Sequence, residues 1–307
     1  MSDLGAIASQ IAIACGSAFI PAHSRAIGGG CINRAVTLSD GIRSFFVKIN
    51  DADRLEMFEA EAAGLAEIAA TKSIRVPLPL CTGTAGSEAY LAMEYFERDG
   101  HGRRDEEKAG RQLADMHRAT RDAFGWDRDN TIGSTPQLNG FDPDWGRFWQ
   151  EKRLGFQLDL AARKGYGGRL QDRGRLLLEG CDAFIDHAPQ PSLLHGDLWG
   201  GNIGYAKDGQ PVIYDPAVYF GDREADLAMT ELFGNFGIAF YASYREAWPL
   251  DPGYETRRDL YNLYHILNHL ILFGSGYLGQ ALDIMERLLA QLGGYPTLLP
   301  SSSGRCR

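Results

Sequence analysis

No run of about 18 apolar residues, the length a membrane-crossing helix needs, occurs anywhere in the chain, so no membrane span is expected. A basic surplus is also missing. Lys and Arg number 31 against 40 Asp and Glu, a formal net charge of −9. So acidic a chain has no general means of neutralising a phosphate backbone, which argues against nucleic acid as a partner, and no polybasic patch for anionic lipid. An anionic ligand would have to be met by a few local cations or by metal ions. Cysteine is sparse. Cys15, Cys31, Cys81, Cys181 and Cys306 are widely scattered and form no C-x-x-C pair. That excludes a disulfide framework or a zinc knuckle and predicts free thiols in a reducing, cytoplasmic setting. The first residues carry no basic stretch ahead of an apolar core, so no signal peptide is expected. Repeats and low-complexity blocks are absent too. What remains is ordinary for a globular protein: 307 residues, 44% hydrophobic and 23% charged, enough for one large domain or two lobes.

Along the chain, Leu4, Ile7, Ala8, Ile11 and Cys15 fall at helical spacing. Three short β-type runs follow, near 23–28, 31–39 and 43–49, the last two separated by an Asp40-Gly41 hairpin signal. The pattern turns helical from Arg54 to Ala70 and breaks at Val76-Pro77-Leu78-Pro79; two more strands are expected near 79–82 and 89–95. Residues 1–96 therefore read as a small, mostly antiparallel sheet with one inserted helix. Residues 97–104 are charged and Gly-rich and read as a connector. From 105 to 307 the chain reads as mainly helical, with helices near 105–120, 143–163, 168–187, 222–233, 238–247, 255–273 and 278–292. Residues 192–216 break that pattern, with short apolar runs among Gly, Asp and Asn. Together these predict an α+β fold of two lobes.

That exceptional stretch carries the strongest chemical signal. It reads Leu193-Leu194-His195-Gly196-Asp197-Leu198-Trp199-Gly200-Gly201-Asn202-Ile203, followed by Val212-Ile213-Tyr214-Asp215-Pro216. Kinase catalytic loops place an Asp five residues before an Asn, with a second Asp after the next strand. Phosphoryl transfer needs a carboxylate beside the attacking hydroxyl and hard oxygen ligands for Mg²⁺. Asp197 would orient the hydroxyl and take its proton, while Asn202 and Asp215 would supply metal-binding oxygens. The plain alternative is a Gly-rich surface turn, and it does not account for the H-G-D run joined to a downstream strand-Asp.

Further pieces stand in the order this chemistry requires. Lys48 interrupts the apolar run Ser44-Phe45-Phe46-Val47-Lys48-Ile49, where a buried ammonium is costly unless paired. A contact to the α- and β-phosphates, with an acid on the next helix, would explain it. Glu59 and Glu61 both qualify as that acid, and Glu61 is preferred. Gly29, Gly30, Cys31, Ile32 and Asn33 form a turn whose backbone N–H groups would approach phosphates. Met93, Glu94, Tyr95 and Phe96 end the last strand before the connector, either as an adenine-binding edge or as an ordinary strand end. Trp199, two residues past Asp197, reads as a wall for a sugar or as a core aromatic. His265 and His269 are four apart on one helix, without the Glu or third ligand that a zinc site needs. His265 and Asn268 read as packing or substrate contacts. Asp226 or Glu224 would brace the catalytic loop.

With these motifs assembled, the chain resembles the fructosamine (ketosamine) kinase family. That family belongs to the wider protein-kinase-like group with aminoglycoside and choline kinases. The likeness covers nearly the whole length. Its narrowest signatures are the run from Asp215-Pro216-Ala217-Val218-Tyr219 through Arg223-Glu224-Ala225-Asp226-Leu227-Ala228-Met229, and Leu260-Tyr261-Asn262-Leu263-Tyr264-His265-Ile266-Leu267-Asn268-His269. The resemblance implies ATP- and Mg²⁺-dependent phosphorylation of a sugar hydroxyl, typically at the 3-position, on a free or protein-bound ketoamine. The chain departs from many relatives at Gly200 and Cys31, neither of which removes a catalytic group. Oxidation of Cys31 in the phosphate turn would block nucleotide or link two chains, so the protein is expected as a monomer or a redox-sensitive dimer. The rival functions are a kinase of another small alcohol or aminoglycoside, and a nucleotide-binding module without catalysis.

Overall fold

In a computed structural model, residues 3–28, 32–98 and 105–293 are described. Gly29, Gly30 and Cys31 of the expected phosphate turn, and most of the expected connector, lie outside them.

The chain opens with helix α1 (Leu4–Cys15), capped where Asp3 Oδ1 accepts the Ala6 N–H at 2.9 Å and ended by Gly16 at φ +63°. Strands β1 (His23–Ile27), β2 (Arg34–Ser39) and β3 (Ser44–Asp51) follow, then helix α2 (Leu55–Thr71) and strands β4 (Pro79–Ala85) and β5 (Glu88–Glu94). The expected turn at Asp40-Gly41 forms. Asp40 Oδ1 accepts the N–H groups of Ile42 and Arg43 at 2.9 and 2.6 Å, and Gly41 takes φ +91°. The five strands pair antiparallel in the order β1-β2-β3-β5-β4.

Alternation along these strands decides which side chains reach the site. Val47, Ile49, Tyr90 and Ala92 join Leu38 on one face, under Ile7 and Ile11 of α1. Ala89, Leu91 and Met93 take the opposite face, against Phe58, Leu65 and Ile68 of α2. Burying each large apolar side chain there contributes about 1.5–3 kcal/mol. Lys48 lies between Val47 and Ile49, so the pleat turns it to the α2 face.

The second part contains α3 (Glu106–His117), a hairpin of β6 (Asn130–Ile132) and β7 (Thr135–Gln137), α4 (Trp145–Trp149), α5 (Phe156–Arg163) and α6 (Arg169–Gly180). Two short antiparallel pairs are built from β8 (Ser192–Leu194), β9 (Ile203–Tyr205), β10 (Pro211–Ile213) and β11 (Tyr219–Gly221): β9 with β10, and β8 with β11. Helices α7 (Glu224–Leu232), α8 (Ile238–Ala247), α9 (Tyr254–Phe273) and α10 (Leu278–Gly293) complete it. The helix expected over 168–187 stops at Gly180 and passes into a 3-10 turn at Cys181–Phe184. The one expected over 143–163 is continuous but contains a π-helical stretch, Gln150–Gly155. The β6–β7 hairpin was not foreseen. Among the described residues no helix is long and apolar enough to cross a membrane.

Candidate active site

Lys48 is buried, and its Nζ lies 2.5 Å from Glu61 Oε1 and 2.7 Å from Asp215 Oδ1. Burial opposes an ammonium there, but the charges of Asp215 and Glu61 outweigh it and raise the Lys48 pKa, so the group stays protonated. Helical geometry explains the choice of acid. Glu61 follows Phe58 by three residues and precedes Leu65 by four, on the face that meets the sheet. Glu59 points elsewhere, 3.8 Å from Arg128.

Between β8 and β9 the chain makes a loop whose backbone groups are held by side chains. Asp226 on α7 accepts the N–H of His195 at 2.7 Å and of Gly196 at 2.8 Å, one on each carboxylate oxygen. Its Oδ2 also meets His117 Nε2 at 3.2 Å, and His117 Nδ1 meets the Tyr244 hydroxyl at 2.8 Å. Burial lowers the His117 pKa despite the Asp226 charge, so the ring is neutral. His195 is likewise held neutral by burial. Its Nδ1 accepts the Asp197 N–H at 3.3 Å, and its Nε2 donates to the Tyr214 carbonyl at 3.0 Å. Of the two acids left open by the sequence, Asp226 grips the loop, whereas Glu224 is bound to Arg257 at 2.7 Å. Gly196 has no room for a side chain. Its φ is +81°, and a Cβ there would lie 2.0 Å from the Ala217 carbonyl oxygen.

The loop presents Asp197 beside Asn202, whose Nδ2 donates to the Asp197 carbonyl at 2.9 Å and approaches its Oδ2 at 3.4 Å. The same Nδ2 lies 3.5 Å from the Asp215 carbonyl oxygen. Burial, and then the charges of Asp215 and Asp226, push the Asp197 carboxyl up to about 7. Asp215 adopts φ +59°, an uncommon left-handed conformation for a residue with a side chain. The fold thus brings Lys48, Glu61, Asp197, Asn202 and Asp215 to one place.

Trp199 is 40% exposed, edge-on to Phe233 with centroids 6.2 Å apart, and its ring lies over Gly201, where a Cβ would come within 2.3 Å. Met93 is buried in the core, and Glu94 pairs with Arg75 at 2.5 Å. Tyr95 is half-buried, and Phe96 packs at 6.0 Å on Tyr214. Asn33 Oδ1 accepts from Asn50 Nδ2 at 2.7 Å, and the Ile32 carbonyl accepts from the same group at 3.2 Å. His265 and Asn268 are buried on α9, with His265 Nδ1 and Asn268 Oδ1 unpartnered. Burial and the neighbouring His269 bring the His265 pKa down to about 3, so the ring is neutral. His269 is occupied with the His265 carbonyl at 2.8 Å.

Sequence reasoning missed His117, Asn130 and Gln137. The last two lie on the β6–β7 hairpin and hold the backbone just beyond Asp215. Its signal was slight, with Thr131-Ile132 before Gly133-Ser134 and a single β-branched Thr135, followed by Pro136, after it. Nothing in the sequence marks His117.

The fructosamine kinase family model matches residues 4–291. A Synechocystis protein named "Probable ketoamine kinase" is 47% identical over 92% of this chain and 96% of its own length. The chloroplastic protein-ribulosamine 3-kinase of Arabidopsis thaliana is 47% identical over 87% of this chain and 82% of its own. Among solved structures, a "Putative fructosamine-3-kinase" from Haemophilus somnus superposes with a TM-score of 0.85 at 31% identity, covering 92% of this chain and 96% of that one. The aminoglycoside phosphotransferase APH(4)-Ia, at 14% identity, TM-score 0.60 and coverage of 94% and 97%, shares the kinase-like fold. On these grounds the chain belongs to the fructosamine kinase family.

Proposed function

We propose that this protein transfers the γ-phosphoryl group of ATP to a sugar hydroxyl of a ketoamine, either a fructosamine or a ribulosamine, free or protein-bound. The observation that carries the reading is the Lys48 ammonium held between Glu61 and Asp215, with the Asp197–Asn202 pair joined to the same Asp215 backbone. Relatives named for ketoamine and ribulosamine substrates give the acceptor class.

Asp197 accepts the proton of the attacking hydroxyl and fixes its direction. A carboxyl raised to about 7 suits a base working near neutral pH. As the sugar oxygen bonds to the γ-phosphorus, the bond to the bridging β,γ-oxygen breaks and ADP departs. Lys48, kept charged by its two carboxylates, binds the nucleotide phosphates. The donors present also suit a hard divalent cation. Asn202 spends its Nδ2 within the loop, which leaves Oδ1 for a ligand, and the Asp215 side chain is 47% exposed. Amide and carboxylate oxygens are what Mg²⁺ takes, so Asn202 and Asp215 are its proposed holders. When bound, Mg²⁺ neutralises triphosphate charge.

Residues 1–96 would grip the nucleotide, with residues 29–33 binding its phosphates and the Met93–Phe96 segment beside the base, while 105–307 would present the acceptor. Trp199 offers an exposed aromatic face for the sugar, and the unpartnered polar atoms of His265 and Asn268 suit its hydroxyls. The test is ADP release with ATP and Mg²⁺ across deoxyfructosyl-lysine, ribulosyl-lysine and an aminoglycoside. Turnover with either ketoamine is expected. Turnover with the aminoglycoside alone, or ATP binding without transfer to any acceptor, would overturn the reading.

A further inference from the structure

The β6–β7 hairpin is absent from the mechanism above, yet it touches the segment that carries Asp215. Gln137 is 1% exposed and uses both ends of its amide. Its Nε2 donates to the Ala217 carbonyl at 3.0 Å and to Asn130 Oδ1 at 2.9 Å, while its Oε1 accepts the Tyr264 hydroxyl of α9 at 2.7 Å. Asn130 in turn donates from Nδ2 to the next carbonyl, Val218, at 2.8 Å. Two successive carbonyls beyond Asp215 are therefore held by two hairpin side chains.

Ala217 is the junction. Its N–H donates to the His195 carbonyl at 2.8 Å, and its carbonyl oxygen occupies the space that a Cβ on Gly196 would need. Gln137 thus fixes the peptide against which the Gly196–Asp197 backbone is packed, and that peptide is two residues from Asp215 in its left-handed conformation. The hairpin tip lies against both the nucleotide side and the acceptor helix. A Cβ on Gly133 would lie 2.9 Å from the side chains of Ile32 and of Leu272 on α9.

We infer that Gln137 is a positioning residue for phosphoryl transfer: by tying Ala217 to Tyr264 it sets Asp215 and Asp197 relative to each other. The inference rests on the proposed function, so the test carries its own control. Gln137→Met keeps the side-chain length and removes both hydrogen-bonding ends. In protein shown folded by its melting curve, kcat with a ketoamine should fall by about 10- to 100-fold and KM for MgATP should rise, with KM for the acceptor within about twofold, because a small misplacement of reacting groups costs rate more than acceptor affinity. A structural role alone would lower the melting temperature and leave both constants of the folded enzyme unchanged, and that result overturns the inference. Should Gln137→Met fail to fold, Tyr264→Phe decides. It removes only the hydroxyl that anchors Gln137 and should lower kcat by about three- to tenfold, whereas wild-type constants would reject the idea. Asp197→Asn measured alongside separates the two levels. If it turns over normally, the proposed function itself has failed, whatever the hairpin variants do.

Discussion

Lys48 Nζ lies 2.7 Å from Asp215 Oδ1 and 2.5 Å from Glu61 Oε1, so one buried ammonium ties a strand and a helix of the first part of the chain to the loop beyond β10. Two carboxylates share one cation, and the excess negative charge is available to a further cation.

Lys48→Met leaves the largely buried Glu61 carboxylate without its cation, beside the half-exposed Asp215. We expect a loss of about 3 kcal/mol, as when one partner of a buried pair is removed, and a large rise in KM for ATP. Lys48→Met/Glu61→Gln should regain most of the stability and none of the turnover. Denaturant unfolding beside steady-state kinetics checks both. Equal stability of the two variants would contradict the pairing.

Asp197→Asn should cut turnover by about 10³-fold while ATP binding stays within a few-fold of wild type, since it removes a base and no phosphate contact. It should also stabilise the protein. The folded carboxyl, raised to about 7, keeps its proton between pH 4 and 7 while the unfolded one has lost it. Wild-type stability therefore falls as pH rises through that window. Asn escapes this, so its gain should approach about 4 kcal/mol at pH 8 and vanish near pH 4. Melting curves at the two pH values would show it, and a gain equal at both would refute the assignment.

Gly196→Ala places a methyl group on the Ala217 carbonyl and forces a left-handed backbone. Loss of turnover and about 3 kcal/mol of stability are expected. Gly209→Ala is the matched control, with φ +79° and no atom within 4 Å of its Cβ. It should cost about 1 kcal/mol and leave kcat untouched. Similar kinetics for the two variants would mean that the close approach at Gly196 has no catalytic consequence.

His187 gives stability a second pH dependence. Its Nε2 is 2.7 Å from Asp222 Oδ2, beside Glu224 and Arg257. Burial and the Arg257 charge work against the imidazolium, but the hydrogen bond and charge of Asp222, aided by Glu224, outweigh them and raise its pKa above the ordinary 6.5. The folded state then holds a proton that the unfolded state releases, so this stabilisation is complete below about pH 6.5 and is lost as pH rises through the raised value. His187→Gln should flatten the fall in melting temperature above pH 6.5. An unchanged slope would rule the pair out as its source.

Much of the architecture was legible from local pattern. The alternation of Val47, Lys48 and Ile49 already turns the lysine away from α1, and the spacing of Phe58, Glu61 and Leu65 already puts the acid on the sheet side of α2. The H-G-D and Asn202 spacing, and Asp215 after an apolar strand, marked the residues that the fold brings together as the candidate site. Such features depend on contacts within a turn or two of chain, and period carries them.

Other features required the folded chain. Asp226 and Glu224 share one helix and one charge, and only the packing of α7 shows that the first meets the His195 and Gly196 N–H groups while the second meets Arg257. Gln137 and Tyr264 lie 127 positions apart, with no periodicity to relate them. Residue type and spacing determined which groups are available and which face of each element carries them. Hydrogen-bond partners across the fold are fixed by distance and direction in space, and for Asp226, His117 and Gln137 only the tertiary structure decided them.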